Sequence, residues 1–366
     1  MSGRLAASAG SDIGRRVLVT LGALVLYRLG HHLPLPGLDP DALSMIADRR
    51  GYPIQRYSIF ALGVVPIFGV LFVLEIAKMA FPALASWETA RPGSRTRYGS
   101  AIVIAALALT ALQAYGVATV LSTVASPAVK PRFEFIVAIV ATEIGATALL
   151  FWLGRLIDTR GLGDGLWLIL ASSLFADLPR EIGQSAEGAR AGAIPASALV
   201  AFLAFPAIAA APIVAAHLAG AVRARRAASA AAPTPRFERQ DIAAILWPPI
   251  LAYIVSLALI WLIGLAIPAT INTALAGLLA PGGVARMLIL TLLLPVFTMM
   301  RARAAADAGR PALLMALAQM LVMIAGAIVS AASGLPLLRD ALIVIIVATL
   351  AVNLLAWTTP PGPGRA

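Results

Sequence analysis

The chain has 366 residues, of which 60% are hydrophobic and only 12% are charged, and its mean hydropathy is +0.92. This composition excludes an ordinary soluble globular protein and indicates an integral membrane protein. Cysteine is absent, which excludes disulfides, thiolate metal sites and cysteine nucleophiles. At roughly 20 residues per spanning helix, ten spans would leave only short connections and no room for a separate soluble domain.

Apolar segments along the chain are long enough to predict ten membrane-spanning helices. The first follows Arg15 and Arg16, as in a signal peptide, but it contains Arg28 and lacks a small-residue cleavage site. We therefore predict that it is a retained helix. In chain order the predicted spans cover residues 17–34, 58–84, 100–124, 135–157, 163–179, 195–222, 241–264, 284–302, 311–333 and 339–357.

The net charge of +11 is distributed unevenly between the predicted loops. With a cytoplasmic N-terminus, 17 of the 28 Lys and Arg residues fall on the cytoplasmic side and 9 on the external side. This bias follows the positive-inside rule and predicts that both termini are cytoplasmic. The basic loops are thus explained by topology, and no nucleic-acid partner is expected.

The second and seventh predicted spans each contain proline early in the span, as "ALGVVPIFGVL" (61–71) and "AILWPPILAYI" (244–254). Proline removes a backbone donor and kinks a helix. Interrupted helices at matching places in two halves indicate an inverted-repeat transport core. The alternative is that these prolines have no such role, because proline is common in transmembrane helices.

Further motifs occur in a fixed order: "VLYRLGHHLPLPGLDPDAL" (25–43), "SIFALGVVP" (58–66), "RTRYGSAIVIAALALTALQAYGVA" (95–118), "FWLGRLIDTRGLGDGLWLIL" (151–170), "ILWPPILAYIVSL" (245–257), "IPATI" (267–271), "APGGVARMLIL" (280–290) and "ALIVIIVATLA" (341–351). In this order they resemble the SecY family, the channel subunits of the bacterial preprotein translocase. The resemblance covers most of the chain and is weakest over the sixth and ninth spans.

The resemblance implies an all-α membrane protein whose ten transmembrane helices form two inverted five-helix halves, residues 1–190 and 191–366. It implies a channel that moves unfolded polypeptides across or into the bacterial cytoplasmic membrane. Matching the motifs without gaps places a ring of apolar side chains around the pore at Val64, Phe68, Leu170, Leu174, Ile250 and Ile343. A narrow apolar collar of this kind excludes ions by dewetting.

The family also has a lateral exit toward lipid, where the resemblance places Glu75 and Gln113. Glu75 stands where the family usually has glutamine, and it lies three residues before Lys78. An ion pair within one helix is the alternative explanation for this carboxylate.

Family resemblance further implies SecE-like and SecG-like partner subunits, with SecA or the ribosome docking on cytoplasmic loops. Those loops are short here, at 223–240 and 301–311, so weakened docking through Arg236, Arg239 and Arg310 is expected. The external segment that folds back as a plug in the family is also reduced, to "DALSMIAD" (41–48) or to an ordinary loop.

Glu143 is a carboxylate in the middle of the fourth span, and the family pattern does not require it. An ionisable group at this depth is a candidate functional site. It leaves two alternatives open, which are a proton-coupled solute transporter that uses Glu143 and a non-conducting paralogue that acts as a scaffold. No arrangement of nucleophile, base and oxyanion donors is found, so neither an enzyme, a cofactor nor a metal site is predicted.

Overall fold

The structure is a computed structural model that describes residues 2–38, 57–81, 83–84, 94–124, 132–176, 178–192, 195–227, 242–266, 284–304, 310–333 and 337–358. These residues form eleven α-helices and no β-strand, apart from an isolated bridge between Pro34 and Ser58. The all-helical class predicted from the sequence is confirmed for this part of the chain.

Ten of the eleven helices coincide with the predicted spans, and their ends differ from the prediction by a few residues in most cases. The eleven are α1 Ser2–Gly30, α2 Val65–Ala80, α3 Ser94–Val124, α4 Arg132–Arg160, α5 Gly165–Ala176, α6 Leu178–Arg190, α7 Ala196–Ala227, α8 Ile242–Ala266, α9 Val284–Ala304, α10 Arg310–Ser333 and α11 Leu337–Thr358.

The second helix begins later than its apolar pattern predicts, at Val65 instead of residue 58. Gly63 has a positive φ of 52°, which stops helix formation, and Pro66 occupies the first turn of α2, where its missing N–H costs nothing. The residues before it pair with the chain that follows α1. Leu35 donates a backbone hydrogen bond to Tyr57 at 2.9 Å, and Ile59 donates one to Leu33 at 2.9 Å.

The helix that was not predicted is α6, which is short and amphipathic. Leu178 and Ile182 lie one turn apart and line an apolar cavity, whereas Arg180 and Arg190 are exposed. Its apolar residues are too few for a spanning segment, but their spacing of four is the signal that indicates such a helix.

By length and composition, three helical segments within the described ranges could cross a membrane, namely Gly99–Ser122, Phe133–Arg160 and Leu199–Ala219. Four shorter apolar segments lie in α8, α9, α10 and α11.

The chain divides into two compact units, Met1–Ser172 and Ser173–Ala366, with the division inside α5. In unit 1, α3 packs against α2 and α4, and α4 also packs against α1. Thr110 of α3 and Thr147 of α4 are both buried, and their hydroxyl groups are hydrogen-bonded at 3.2 Å. This bond satisfies two polar groups within an otherwise apolar helix pair.

The turn between α4 and α5 is held tightly by backbone and side-chain hydrogen bonds. Gly163 has φ 86°, which favours glycine, and Asp158 accepts a hydrogen bond from the Gly165 N–H at 2.6 Å. The Thr20 hydroxyl oxygen of α1 accepts a hydrogen bond from the Leu162 N–H at 2.8 Å. The glycine-rich sequence "RGLGDG" (160–165) is therefore a structural turn that is docked on α1.

Unit 2 repeats the pattern of helix contacts found in unit 1. Here α9 packs against α8 and α10, and α10 also packs against α7, as α3, α2, α4 and α1 do in unit 1. The last helix, α11, packs against α7, α8 and α10. In each unit, therefore, the same three pairs of spans are in contact.

Candidate pore and proline-broken helices

We call α2 and α8 the proline-broken helices for their prolines alone, because each runs as one continuous helix: α2 carries Pro66 in its first turn and α8 contains Pro248 and Pro249. In unit 1, the backbone at Leu62, just before α2, forms a hydrogen bond with the Glu143 carboxylate of α4. Glu143 is only 1% exposed. Its Oε1 accepts no hydrogen bond from the described part of the chain.

In unit 2, a buried polar side chain reaches the other proline-broken helix. Gln319 of α10 is 1% exposed, and its Nε2 donates a hydrogen bond to the backbone carbonyl of Ile245 at 2.8 Å. Sequence reasoning missed Gln319, although it carries the same signal as Glu143, a carboxylate or amide side chain in the middle of an apolar span.

Three of the predicted ring residues belong to unit 1. Val64 is buried just before α2, whereas Phe68 of α2 and Leu170 of α5 are partly buried. The Phe68 ring packs edge-on against the ring of Trp167, with centroids 4.9 Å apart. Trp167 is buried in α5, and its contact with Phe68 was not predicted because no sequence pattern links the two residues.

The other three predicted ring residues belong to unit 2. Ile250 is buried in α8, directly after the two prolines. Leu174 and Ile343 both line one apolar cavity of about 500 Å³, which α5, α6, α7 and α11 enclose. Two of the predicted ring residues, Leu174 and Ile343, thus line the same cavity of this unit.

The predicted lateral-gate residues both lie in unit 1. Glu75 is buried in α2 and forms the predicted ion pair with Lys78, whose Nζ lies 3.4 Å from Glu75 Oε1. This ion pair within one helix is confirmed. Gln113 of α3 is partly buried, and its Oε1 accepts no hydrogen bond from the residues that the structure covers.

One of the predicted docking residues lies within the described part of the chain, whereas the other two and the predicted reduced plug lie outside it. Arg310 begins α10, while Arg236, Arg239 and the segment 41–48 lie outside the described residues. Their predicted roles stay predictions.

These helices and their packing match solved channel structures along almost the whole chain. One solved structure concerns the plug domain of a SecY protein and the closed state of its translocation channel. It covers 94% of this chain and 92% of its own, with a TM-score of 0.56 at 13% identity. Canine Sec61 from a ribosome–channel complex gives the same coverage with a TM-score of 0.55 at 13% identity. The chain therefore has the helical fold of protein-conducting membrane channels.

Sequence comparison identifies the family. The SecY family profile matches residues 58–312, and this chain belongs to the SecY family. The protein translocase subunit SecY of Buchnera aphidicola subsp. Acyrthosiphon kondoi is 30% identical over 202 residues, which are 50% of this chain and 55% of the relative. SecY of Escherichia coli K12 is 30% identical over 202 residues, 50% of this chain and 44% of the relative. The matched region thus spans about half the length of these relatives.

Proposed function

We propose that this chain is the central channel subunit of a Sec-type translocase and moves unfolded polypeptides across or into the bacterial cytoplasmic membrane. The family match carries the proposal, since residues 58–312 include both proline-broken helices. No catalytic step belongs to this function, and a partner motor or chain synthesis would supply the energy.

The proposed architecture is ten transmembrane helices in two inverted halves, 1–190 and 191–366. The recurrence of the same three helix contacts in units 1 and 2 supports an internal repeat. In this proposal Val64, Phe68, Leu170, Leu174, Ile250 and Ile343 form the apolar ring of the pore. Glu75 and Gln113 belong to the lateral exit, where the Glu75–Lys78 ion pair lowers the cost of a buried carboxylate.

The proposed partners are SecE-like and SecG-like subunits, with lipid around the helices. We also propose that SecA or the ribosome docks weakly on this chain, because the segments 223–240 and 301–311 are short and carry few basic residues, among them Arg236, Arg239 and Arg310.

Co-purification tests the proposed function directly. A tagged chain extracted from its native membrane in mild detergent is expected to retain a SecE-like subunit, identified by mass spectrometry. An unrelated tagged polytopic protein from the same membrane is the control. Recovery of the chain without such a subunit would count against the translocase. Proton-coupled uptake that depends on Glu143 would then favour the transporter, and its absence would favour the scaffold.

The proposed topology is tested by reporter fusions. Fusions after residues 90, 232 and 306 are expected to report the cytoplasm, and fusions after 45, 128 and 275 the external side, because of the 17-to-9 bias of basic residues. Paired reporters that are active on opposite sides of the membrane control for expression. A consistent reversal between the two sets would contradict the ten-span arrangement.

A further inference from the structure

A buried polar side chain of another helix in the same unit forms a hydrogen bond with the backbone of α8 in unit 2, and with the backbone three residues before the start of α2 in unit 1. In unit 1 the side chain is Glu143 of α4, and in unit 2 it is Gln319 of α10. Both side chains are only 1% exposed. The two helices that supply them, α4 and α10, share one pattern of contacts, since α4 packs against α3 and α1 and α10 packs against α9 and α7; α10 also packs against α8 and α11.

The two bonds are also made at matching backbone positions. Leu62 lies four residues before Pro66, and Ile245 lies four residues before Pro249. In an α-helix the carbonyl of residue i accepts from the N–H of residue i+4, so a proline leaves the residue four positions earlier without its regular partner. Gln319 therefore binds the carbonyl that the prolines leave without a regular donor, whereas Glu143 binds the residue at the matching sequence position through its backbone N–H, a group that Pro66 does not affect.

The deficit is most severe at Ile245. Its α-helical donor would be residue 249 and its 3₁₀ donor would be residue 248, and both are proline. An unpaired carbonyl in a buried apolar region is costly, especially at membrane depth. The amide of Gln319 supplies the missing donor at 2.8 Å.

At Leu62 the carbonyl finds a local partner, since the Val65 N–H donates to it at 3.1 Å. The backbone N–H of Leu62 remains, and the Glu143 carboxylate accepts from it. The chemistry is thus complementary in the two units: Glu143 accepts a hydrogen bond, and Gln319 donates one.

We propose that Glu143 and Gln319 are a matched pair of positioning residues that fix the proline-broken helices where residues of the pore ring begin. Val64 follows Leu62 by two residues, and Ile250 follows Pro249 directly. That Val64 and Ile250 belong to a pore ring rests on the proposed function, whereas the positioning by Glu143 and Gln319 concerns only the helices. Glu143 then serves as a hydrogen-bond acceptor for the backbone.

Spin labels on the cysteine-free chain measure this positioning without any transport assay. A nitroxide at V65C, where the side chain is 62% exposed, reports the start of α2. In Glu143→Leu we expect loss of the immobilised component of its spectrum, because Leu62 loses its acceptor. Glu143→Gln should keep that component, since an amide oxygen also accepts. Thr142→Leu, at the next position of α4, is the matched control.

A double-mutant cycle tests the second unit. A label at I254C, where the side chain is 38% exposed, should lose its immobilised component in Gln319→Met. In the Pro249→Ala background the N–H of residue 249 can bond Ile245 within the helix, so the same replacement should change the spectrum little. Leu321→Ala, on the exposed side of α10, is the control.

Several outcomes would overturn the proposal. These are an unchanged V65C spectrum in Glu143→Leu, a Gln319→Met effect that is equal with and without Pro249, or loss of both Glu143→Leu and Glu143→Gln from the membrane. The last result would show that charge is required and that an acceptor is not sufficient. If the spectra change as expected but the unmodified chain passes no polypeptide, positioning stands and the channel function fails.

Discussion

Replacing Phe68 and Ile250 together with alanine is expected to raise the ion conductance of membranes that contain the protein. Both residues belong to the proposed pore ring, and a narrow apolar constriction blocks ions because it stays dry. Removing a phenyl ring and a branched side chain widens that constriction. Planar bilayers or reconstituted vesicles with an ion-sensitive dye measure the result.

The control is Leu321→Ala, because Leu321 is 57% exposed on α10 and outside the proposed ring. A large-to-small change in a packed site costs roughly 2–5 kcal/mol, so the amount of folded protein in the membrane must be measured first. If the double variant is present at the parental level and conducts no more than the parent, Phe68 and Ile250 do not form the pore ring. The scaffold would then be the better explanation.

Gly165→Ala is expected to lower the stability of unit 1 strongly. A Cβ at this position would collide with the backbone of Gly154, because α4 and α5 approach each other there without side chains between them. The loss of unfolding free energy should reach or exceed the upper end of the ~1–3 kcal/mol typical of overpacking, since backbone atoms cannot move aside. Thermal unfolding of the detergent-solubilised protein measures it.

Two other glycines give a graded comparison. At Gly154 a Cβ would meet the Leu166 side chain at 3.0 Å, and a flexible side chain can yield. At Gly145, also in α4, an added Cβ would meet no atom of the described residues within 4 Å beyond the backbone of its own helix, so alanine should be neutral or slightly stabilising by ~0.5–1 kcal/mol. Equal stability of Gly165→Ala and Gly145→Ala would contradict the close approach of the two backbones.

The long apolar segments predicted most of the helices, because a membrane-spanning helix is recognised by its apolar composition over its whole length. The start of α2 was missed for a local reason, since residues 58–64 are as apolar as a helix but Gly63 has a positive φ and Pro66 favours the first turn of a helix that begins after Gly63. Helix α6 was missed because Leu178 and Ile182 give too few apolar residues for a span.

The candidate site could be predicted only where one helix carries the information. The Glu75–Lys78 ion pair follows from a spacing of three in a single helix. The partners of Glu143 and Gln319 could not be predicted, because Leu62 and Ile245 lie on distant segments and offer backbone atoms, which leave no mark in the sequence. Trp167 and Phe68 likewise meet only through the packing of α2 and α5.

The bonds made by Glu143 and Gln319 have a consequence for the order in which the chain enters the membrane. Each proline-broken helix is synthesised two spans before the helix that completes its backbone hydrogen bonding. An unpaired backbone group in hydrocarbon costs several kcal/mol, so in the proposed ten-span arrangement we expect α2 and α8 to settle fully in lipid only after α4 and α10 have been synthesised. Membrane insertion should therefore include one late step in each unit, in which α4 or α10 completes the backbone hydrogen bonding. A nascent chain that stops before α4 should leave α2 extractable from the membrane.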